Sequence, residues 1–201
     1  MCGCVCVLAR VGVPLCAAAL GCQNGRMSDV RTPDPGWFSD DDLEDLRRRI
    51  PILYVEAVPV RLSAQGAVTE VGLLIRVDEF GEMRSALVSG RVQYGETVRD
   101  ALLRNIEKDL GPLAFPRLPA SVVPATVAEY FPFPARLTDE RQHAVALVFV
   151  VPVSGDCQPR QDALDVKWVP VEEVFTDAIA GEFLGGREQV VRQALSTVSF
   201  A

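Results

Sequence analysis

Residues 90–111 read Gly-Arg-Val-Gln-Tyr-Gly-Glu-Thr-Val-Arg-Asp-Ala-Leu-Leu-Arg-Asn-Ile-Glu-Lys-Asp-Leu-Gly, and a change of pattern inside this stretch decides the fold. Gly90 and Gly95 bracket a segment without apolar periodicity, which predicts a loop. From Thr97 to Leu110 the pattern becomes helical: Val98, Leu102, Ile106 and Leu110 recur at every fourth position, and Gly111-Pro112 stops the run. The polar face carries Arg104, Asn105, Lys108 and Asp109. A helix with one apolar stripe must bury it against another layer.

The flanks supply that layer. Ile52–Leu62 and Thr69–Val77 are rich in Val, Ile and Leu around the turn residues Ser63-Ala64-Gln65-Gly66, which predicts a β-hairpin. A turn at Asp78–Glu82 and a third short strand, Met83–Val88 ending at Ser89-Gly90, lead into the central stretch. Beyond it a Pro-rich connection (Pro112, Pro116, Pro119, Pro124) precedes strands at about Thr126–Phe131 and His143–Val153, and another at Leu164–Pro170. Two further helices are predicted. Ser39-Asp40-Asp41-Asp42 resembles a capping box, followed by Leu43, Leu46 and Ile50 until Pro51 ends the run. Arg187–Val198 places Val190, Val191, Ala194, Leu195 and Val198 inward. The class is α+β, layered α/β/α around a mixed β-sheet.

Composition narrows the partners. The 201 residues suit one domain, and a net charge of −7 without a basic block argues against a nucleic-acid polymer as partner. The first 26 residues differ from the rest: they hold five of the six cysteines, no acid, and only Arg10 and Arg26 as charges. They make a poor signal peptide, since Arg10 follows rather than precedes the first apolar residues and Pro14 breaks the run. No uninterrupted stretch is long enough to span a membrane, and Cys2, Cys4 and Cys6 lack a matching second metal-binding half. Met27 opens a polar leader, so residues 1–26 are expected to be a dispensable extension, 27–51 a leader with a short helix, and 52–201 the folded domain. With one cysteine, Cys157, left in that domain, the expectation is a reducing cytoplasm and no membrane association.

Gly90, Glu96, Arg104, Ile106 and Gly111 stand at the spacings of the Nudix box, in which Gly, Glu, Arg-Glu, an apolar residue, Glu-Glu and Gly follow at fixed intervals. The chain therefore resembles the Nudix hydrolase superfamily. Lys167-Trp168-Val169-Pro170-Val171-Glu172-Glu173 resembles the strand-to-helix junction that closes many of its domains. It is similar to actinobacterial Nudix-like proteins of undescribed function, which open with the same Pro-Gly-Trp-Phe leader. The resemblance implies a Nudix-type α/β/α sandwich, a nucleoside-diphosphate-linked or other phosphorylated small molecule as ligand, and Mg²⁺ as cofactor, and it allows a homodimer.

The departures bear on chemistry. Active members place carboxylates at three helix positions, i, i+3 and i+4, to hold Mg²⁺ against a diphosphate. Here those positions are Asn105, Lys108 and Asp109, so the formal charge at the cluster is zero and an ammonium stands where a divalent ion needs a ligand. Glu107 cannot substitute, because two positions along a helix turn its side chain away. Arg104 has a structural alternative, pairing with Glu96 or Asp109, and Gly90 has one in allowing a tight turn. Lys108 reads either as a solvated helix lysine or as a contact for ligand phosphate. His143 and Trp168 read as structural, and Glu129, Asp139 and Glu140 as candidates for an additional acid.

Three functions remain open. In a binding module without effective hydrolysis, Gly90, Asn105 and Lys108 would line the ligand. In a Mg²⁺-dependent hydrolase, Glu96, Arg104 and Asp109 would be catalytic, with Asp109 and Glu96 holding a weakened metal. The third is a structural or interaction protein.

Overall fold

A computed structural model describes residues 38–159 and 163–198; the expectations for residues 1–26 and for the leader up to Trp37 lie outside them. Helix α1 (Asp40–Arg49) forms where the capping signal places it: Ser39 Oγ accepts from the Asp42 amide, and acids in the first turn and arginines in the last match the helix dipole. The hairpin follows as β1 (Ile52–Leu62) and β2 (Val68–Val77), paired antiparallel through Val60 and Val71.

The third strand departs from expectation. It is two strands, β3 (Met83–Ala86) and β4 (Val88–Arg91), and Gly90 lies within β4 rather than in the loop. The division arises because β1 shares one edge between two neighbours. Its C-terminal end pairs with β2, while its N-terminal half pairs with β4 from Tyr54↔Arg91 to Ala57↔Val88. The chain leaves β2 through β3 and shifts partner at Leu87 to reach β1.

Helix α2 (Val98–Leu110) begins at Thr97, whose side chain accepts from the Asp100 amide, and ends at Gly111. The Pro-rich connection contains an unforeseen short strand, β5 (Ala114–Pro116), followed by β6 (Thr126–Tyr130) and β7 (Ala144–Gly155). β7 runs parallel to β1 from Ile52↔Ala144 to Val60↔Pro152, which makes the sheet mixed. β8 (Asp165–Pro170) adds to β2. Beyond Val171 the chain makes turns before a short helix α3 (Asp177–Ala180), also unforeseen, and then α4 (Arg187–Leu195).

Alternation along β1 sorts two cores. Val55 and Ala57 face α2 and pack with Leu74, Phe149, Leu102, Ile106 and Leu110. Val58 and Val60 face α4 and pack with Leu73, Tyr130, Val190, Val191 and Leu195. The α/β/α expectation holds. Glu56, between Tyr54 and Val58, falls on the α4 face and is almost wholly buried. Among the described residues, no helix is long and apolar enough to cross a membrane.

Candidate functional site

The residues singled out in the sequence fall into three separate contacts. The first is Glu96 with Arg104. Arg104 Nε donates to Glu96 Oε1 at 2.7 Å and Nη2 to Oε2 at 2.8 Å, a two-pronged pair, and Nη2 also donates to the Arg91 carbonyl at 2.8 Å. The Gln93 amide donates to Glu96 Oε2 at 3.0 Å. Arg104 thus pairs with Glu96 rather than Asp109 and ties the 92–97 loop to α2. Its bonds hold the Glu96 carboxyl below its ordinary value against opposing burial, with the Gln93 amide helping.

The second contact is Gly90 with Asn105. The sequence groups Asn105 with Arg104, Lys108 and Asp109 on the polar face of the helix, and in the fold Asn105 is buried. Its Nδ2 donates to the Ala101 carbonyl at 2.8 Å, and Oδ1 is buried without a hydrogen-bond partner. A Cβ at position 90 would lie 1.8 Å from Asn105 Oδ1, so the absence of a side chain on Gly90 lets β4 and α2 approach. Glycine here serves close packing between a strand and a helix, with no turn involved.

The third contact surrounds Asp109, which is 3% exposed. Its Oδ2 accepts from the Ser89 amide at 3.2 Å. Arg76 Nη2 lies 3.3 Å from Oδ1, and Lys108 Nζ lies 3.4 Å from the same oxygen. Lys108 Nζ also donates to the Ser89 carbonyl at 3.0 Å. Burial pushes the Asp109 carboxyl up, and Lys108, then Arg76 and the Ser89 amide, pull against that shift. Lys108 is therefore not a freely solvated helix lysine: its side chain is 29% exposed and its ammonium donates to the Ser89 carbonyl.

These contacts test the fit of Mg²⁺. Divalent magnesium takes hard oxygen donors in octahedral geometry. The three helix positions offer one carboxylate, one amide turned back on its own helix, and one ammonium. The Ser89 carbonyl and the Asp109 carboxylate already converge on the ammonium, backed by a guanidinium. Glu96 and Asp109, paired as metal ligands in the sequence reading, share no bonding partner. Among the described residues no group of three or more His, Cys, Asp or Glu side chains is placed to hold a metal ion. As folded, the three helix positions offer such an ion a single carboxylate, already paired with two cations.

A second constellation, missed in the sequence, lies on the α4 face behind β4. Glu56 Oε2 accepts from Tyr130 Oη at 2.8 Å, Ser89 Oγ lies 3.5 Å from Oε1, and Arg187 Nε lies 4.0 Å from Oε1. The Arg187 guanidinium covers the Tyr130 ring at 4.6 Å. Burial raises the Glu56 carboxyl, against Arg187, Tyr130 and Ser89. The one available signal was a lone carboxylate inside the apolar run Ile52–Val60, at an inward position.

The other candidates scatter. Asp139 lies beside this second constellation; Arg141 donates to both of its oxygens at 3.0 Å and holds its carboxyl down although burial opposes. Glu140 is on the same turn, and Glu129 lines a separate hollow with Arg136 and Gln189. His143 stacks on Phe131 at 4.7 Å, and Trp168 lies under the Arg61 guanidinium at 4.2 Å and over Gly72.

A family model described as a domain of unknown function, DUF4916, matches residues 33–200. The chain belongs to the DUF4916 family. A Jonesia denitrificans protein, described as a possible asymmetric diadenosine tetraphosphate (Ap4A) hydrolase, is 52% identical with a TM-score of 0.71 to this DUF4916 chain; the match covers 74% of this chain and 95% of that one. A NUDIX hydrolase from Nitrosomonas europaea (12% identity, TM-score 0.55, 75% and 93% covered) shares the fold. So does the NUDIX domain of Shewanella oneidensis NrtR, solved with ADP ribose (20%, 0.52, 74% and 88%). The DUF4916 domain thus has a Nudix fold. Among curated proteins, none matches the chain.

Proposed function

We propose that this chain is a Nudix-like domain that binds a nucleoside-diphosphate-linked or other phosphorylated small molecule, with weak or no hydrolysis. One observation carries the reading. The Lys108 ammonium is bound between the Ser89 carbonyl and Asp109, so an internal cation takes the oxygen donors that a metal would need. Metal-assisted hydrolysis requires an ion that activates water and neutralises phosphate charge. A buried carboxylate shared by two cations offers little to such an ion, whereas the fold's loop and helix remain in place to shape a ligand site.

A second reading, a Mg²⁺-dependent hydrolase, is favoured by the 52% identical protein described as a possible Ap4A hydrolase. Calorimetric Mg²⁺ titration and phosphate release from Ap4A and ADP-ribose separate the two, run on the native chain and on Asn105→Glu/Lys108→Glu/Asp109→Glu. The binding reading expects weak Mg²⁺ binding that the triple change strengthens. Native turnover at about 1 s⁻¹ or faster with Mg²⁺ overturns it.

A further inference from the structure

Strand β6 is paired along one edge only. It runs antiparallel to β7 from Thr126↔Val148 to Tyr130↔Ala144, and among the described residues no strand pairs with its other edge. Just past the strand, Phe131 shows which backbone groups face that way: its amide donates to the Leu137 carbonyl at 3.2 Å and its carbonyl accepts from the Asp139 amide at 3.1 Å, both outside β7. In an antiparallel strand alternate residues turn both groups to the same side, so those of Glu129 and Val127 face outward as well. The side chains of these two residues are exposed, Val127 at 52%, whereas Ala128 and Tyr130 are buried. An unpaired row of this kind is a template for another strand, and β6 carries neither the proline nor the lysine that commonly blunts an edge.

Beside this edge lies a hollow of about 230 Å³, bordered by Val127 and Glu129 on the strand, Arg136 on the turn that follows, and Gln189 and Gln193 on α4. The two glutamines stand four positions apart and form one stripe on the helix. Adjacent positions on α4 carry charge, Glu188 and Arg192, but the stripe that borders the strand edge does not. Gln189 Oε1 accepts from Arg136 Nε, and the Gln193 side-chain amide has no partner among the described residues. A primary amide is both donor and acceptor, so it can bond to a second copy of itself. That property matters at a two-fold axis, which sets each residue near it against its own copy: a charged stripe repels itself there, and an amide stripe does not.

We infer that the free edge of β6 is the interface of a homodimer, in which two copies of the strand pair antiparallel across a two-fold axis and join their sheets. With the axis at Ala128, Val127 of each chain stands opposite Glu129 of the other, and their outward amides and carbonyls exchange hydrogen bonds. Ala125 then stands opposite Phe131, which carries Val123, 79% exposed, toward the hollow of the other copy. Both α4 helices lie on one face of the joined sheet and meet through Gln189 and Gln193. Glu129 and Arg136, of opposite charge at the same hollow, keep the junction neutral. Five residues of strand make a smaller contact than a permanent interface, so the dimer is reversible. The pairing stands independently of the ligand-binding reading, since Val127, Glu129, Gln189 and Gln193 carry no part of the contacts at Asp109 and Glu56.

The test is sedimentation velocity of the full chain from about 1 to 100 μM, in reducing buffer so that the five cysteines among the first 26 residues stay unlinked. The expected result is a concentration-dependent dimer, weakened at least tenfold in Gln193→Glu, in Gln193→Lys and in Val127→Lys. A one-to-one mixture of the Gln193→Glu and Gln193→Lys chains should regain the native association, because opposite charges then face each other across the axis. Gln193 is exposed, so its variants keep the fold, and Glu107→Gln, on the exposed side of α2, should associate as the native chain does. A dimer that the Gln193 and Val127 variants all retain overturns this location, and a mixture no tighter than its separate components overturns the two-fold arrangement. A chain still monomeric at about 100 μM overturns the dimer and leaves the edge to an extended peptide of another protein.

Discussion

Two regions of this molecule pair basic side chains with carboxylates, and they are built in opposite senses. At the C-terminal half of α2 the carboxylate is central: Asp109 is buried, and Arg76, Lys108 and the Ser89 amide close around it. In the cleft beside α4 the carboxylates stand behind: Asp78 and Asp139 fix arginines that line a cavity. The first arrangement spends its charges inside the protein. The second orders cations while leaving them access to solvent and solute. Strand β4 separates the two, with Gly90 against α2 and Ser89 toward Glu56. Formal charge alone does not distinguish them, because both are near neutral when counted by residue.

If the α2 side is structural in this sense, changes there should register first in stability. Leu102, fully buried between α2 and the sheet, should lose about 2–5 kcal/mol on Leu102→Ala by chemical denaturation. A loss below about 1 kcal/mol would detach α2 from the core and remove the basis of the comparison. Asp109→Ala should cost about 3 kcal/mol. It leaves two cations and an amide without their shared acceptor, and the partly exposed Arg76 and Lys108 keep the cost at the low end of the range for a broken buried pair. Near-neutral tolerance would mean that the cluster is open to water, as the arginine cleft is.

The fold was legible because hydrophobic spacing reports burial directly. The α2 stripe and the hairpin each carry their period in the residues themselves, and Val190, Val191, Ala194 and Leu195 are buried as that spacing requires. Short elements were not legible. β5 is three residues in a Pro-rich segment, α3 is four, and the β3 to β4 partner change depends on how β1 divides its edge, a tertiary fact. At the candidate site, the sequence located Glu96 and Arg104 and noted the altered acids. It carried no sign of their burial: Asn105 and Asp109 are polar residues on a helix face that points inward, where tertiary partners override the polar pattern. The arginine cleft was invisible because its members are some fifty residues apart along the chain and meet only through the fold.

Close approach at Gly90 gives a smaller and more specific test of the closed side. Gly90→Ala places a methyl group on Asn105 Oδ1, and the overpacking should cost about 1–3 kcal/mol. In an Asn105→Ala background the same change should cost measurably less, since the atom it strikes is gone. Equal costs in the two backgrounds, measured by urea denaturation, would show that the penalty comes from β4 backbone conformation rather than from contact with α2.

On the open side, Glu56 supplies a pH-dependent contrast with Asp139. Burial raises the Glu56 carboxyl above its ordinary 4.5, with Asp139 adding to the rise and Arg187, Tyr130 and Ser89 opposing it. The folded chain therefore keeps this proton to higher pH than the unfolded chain does. Between 4.5 and the raised value the unfolded state loses the proton first, so the stability associated with Glu56 is present below 4.5 and declines as pH climbs through that window, by at most about 1.4 kcal/mol per pH unit for one proton. Asp139 runs the other way: held below 3.8, it contributes stability that is present above that value and is lost as pH falls through its folded value. Glu56→Gln cannot ionise and still offers an acceptor to Tyr130, so it should remove the Glu56 slope alone. Denaturation midpoints of native and Glu56→Gln chains across pH 4 to 8 should move in favour of the variant as pH rises. Parallel curves would mean that Arg187 compensates the burial in full, and that Glu56 is an ionised anchor of the same kind as Asp139.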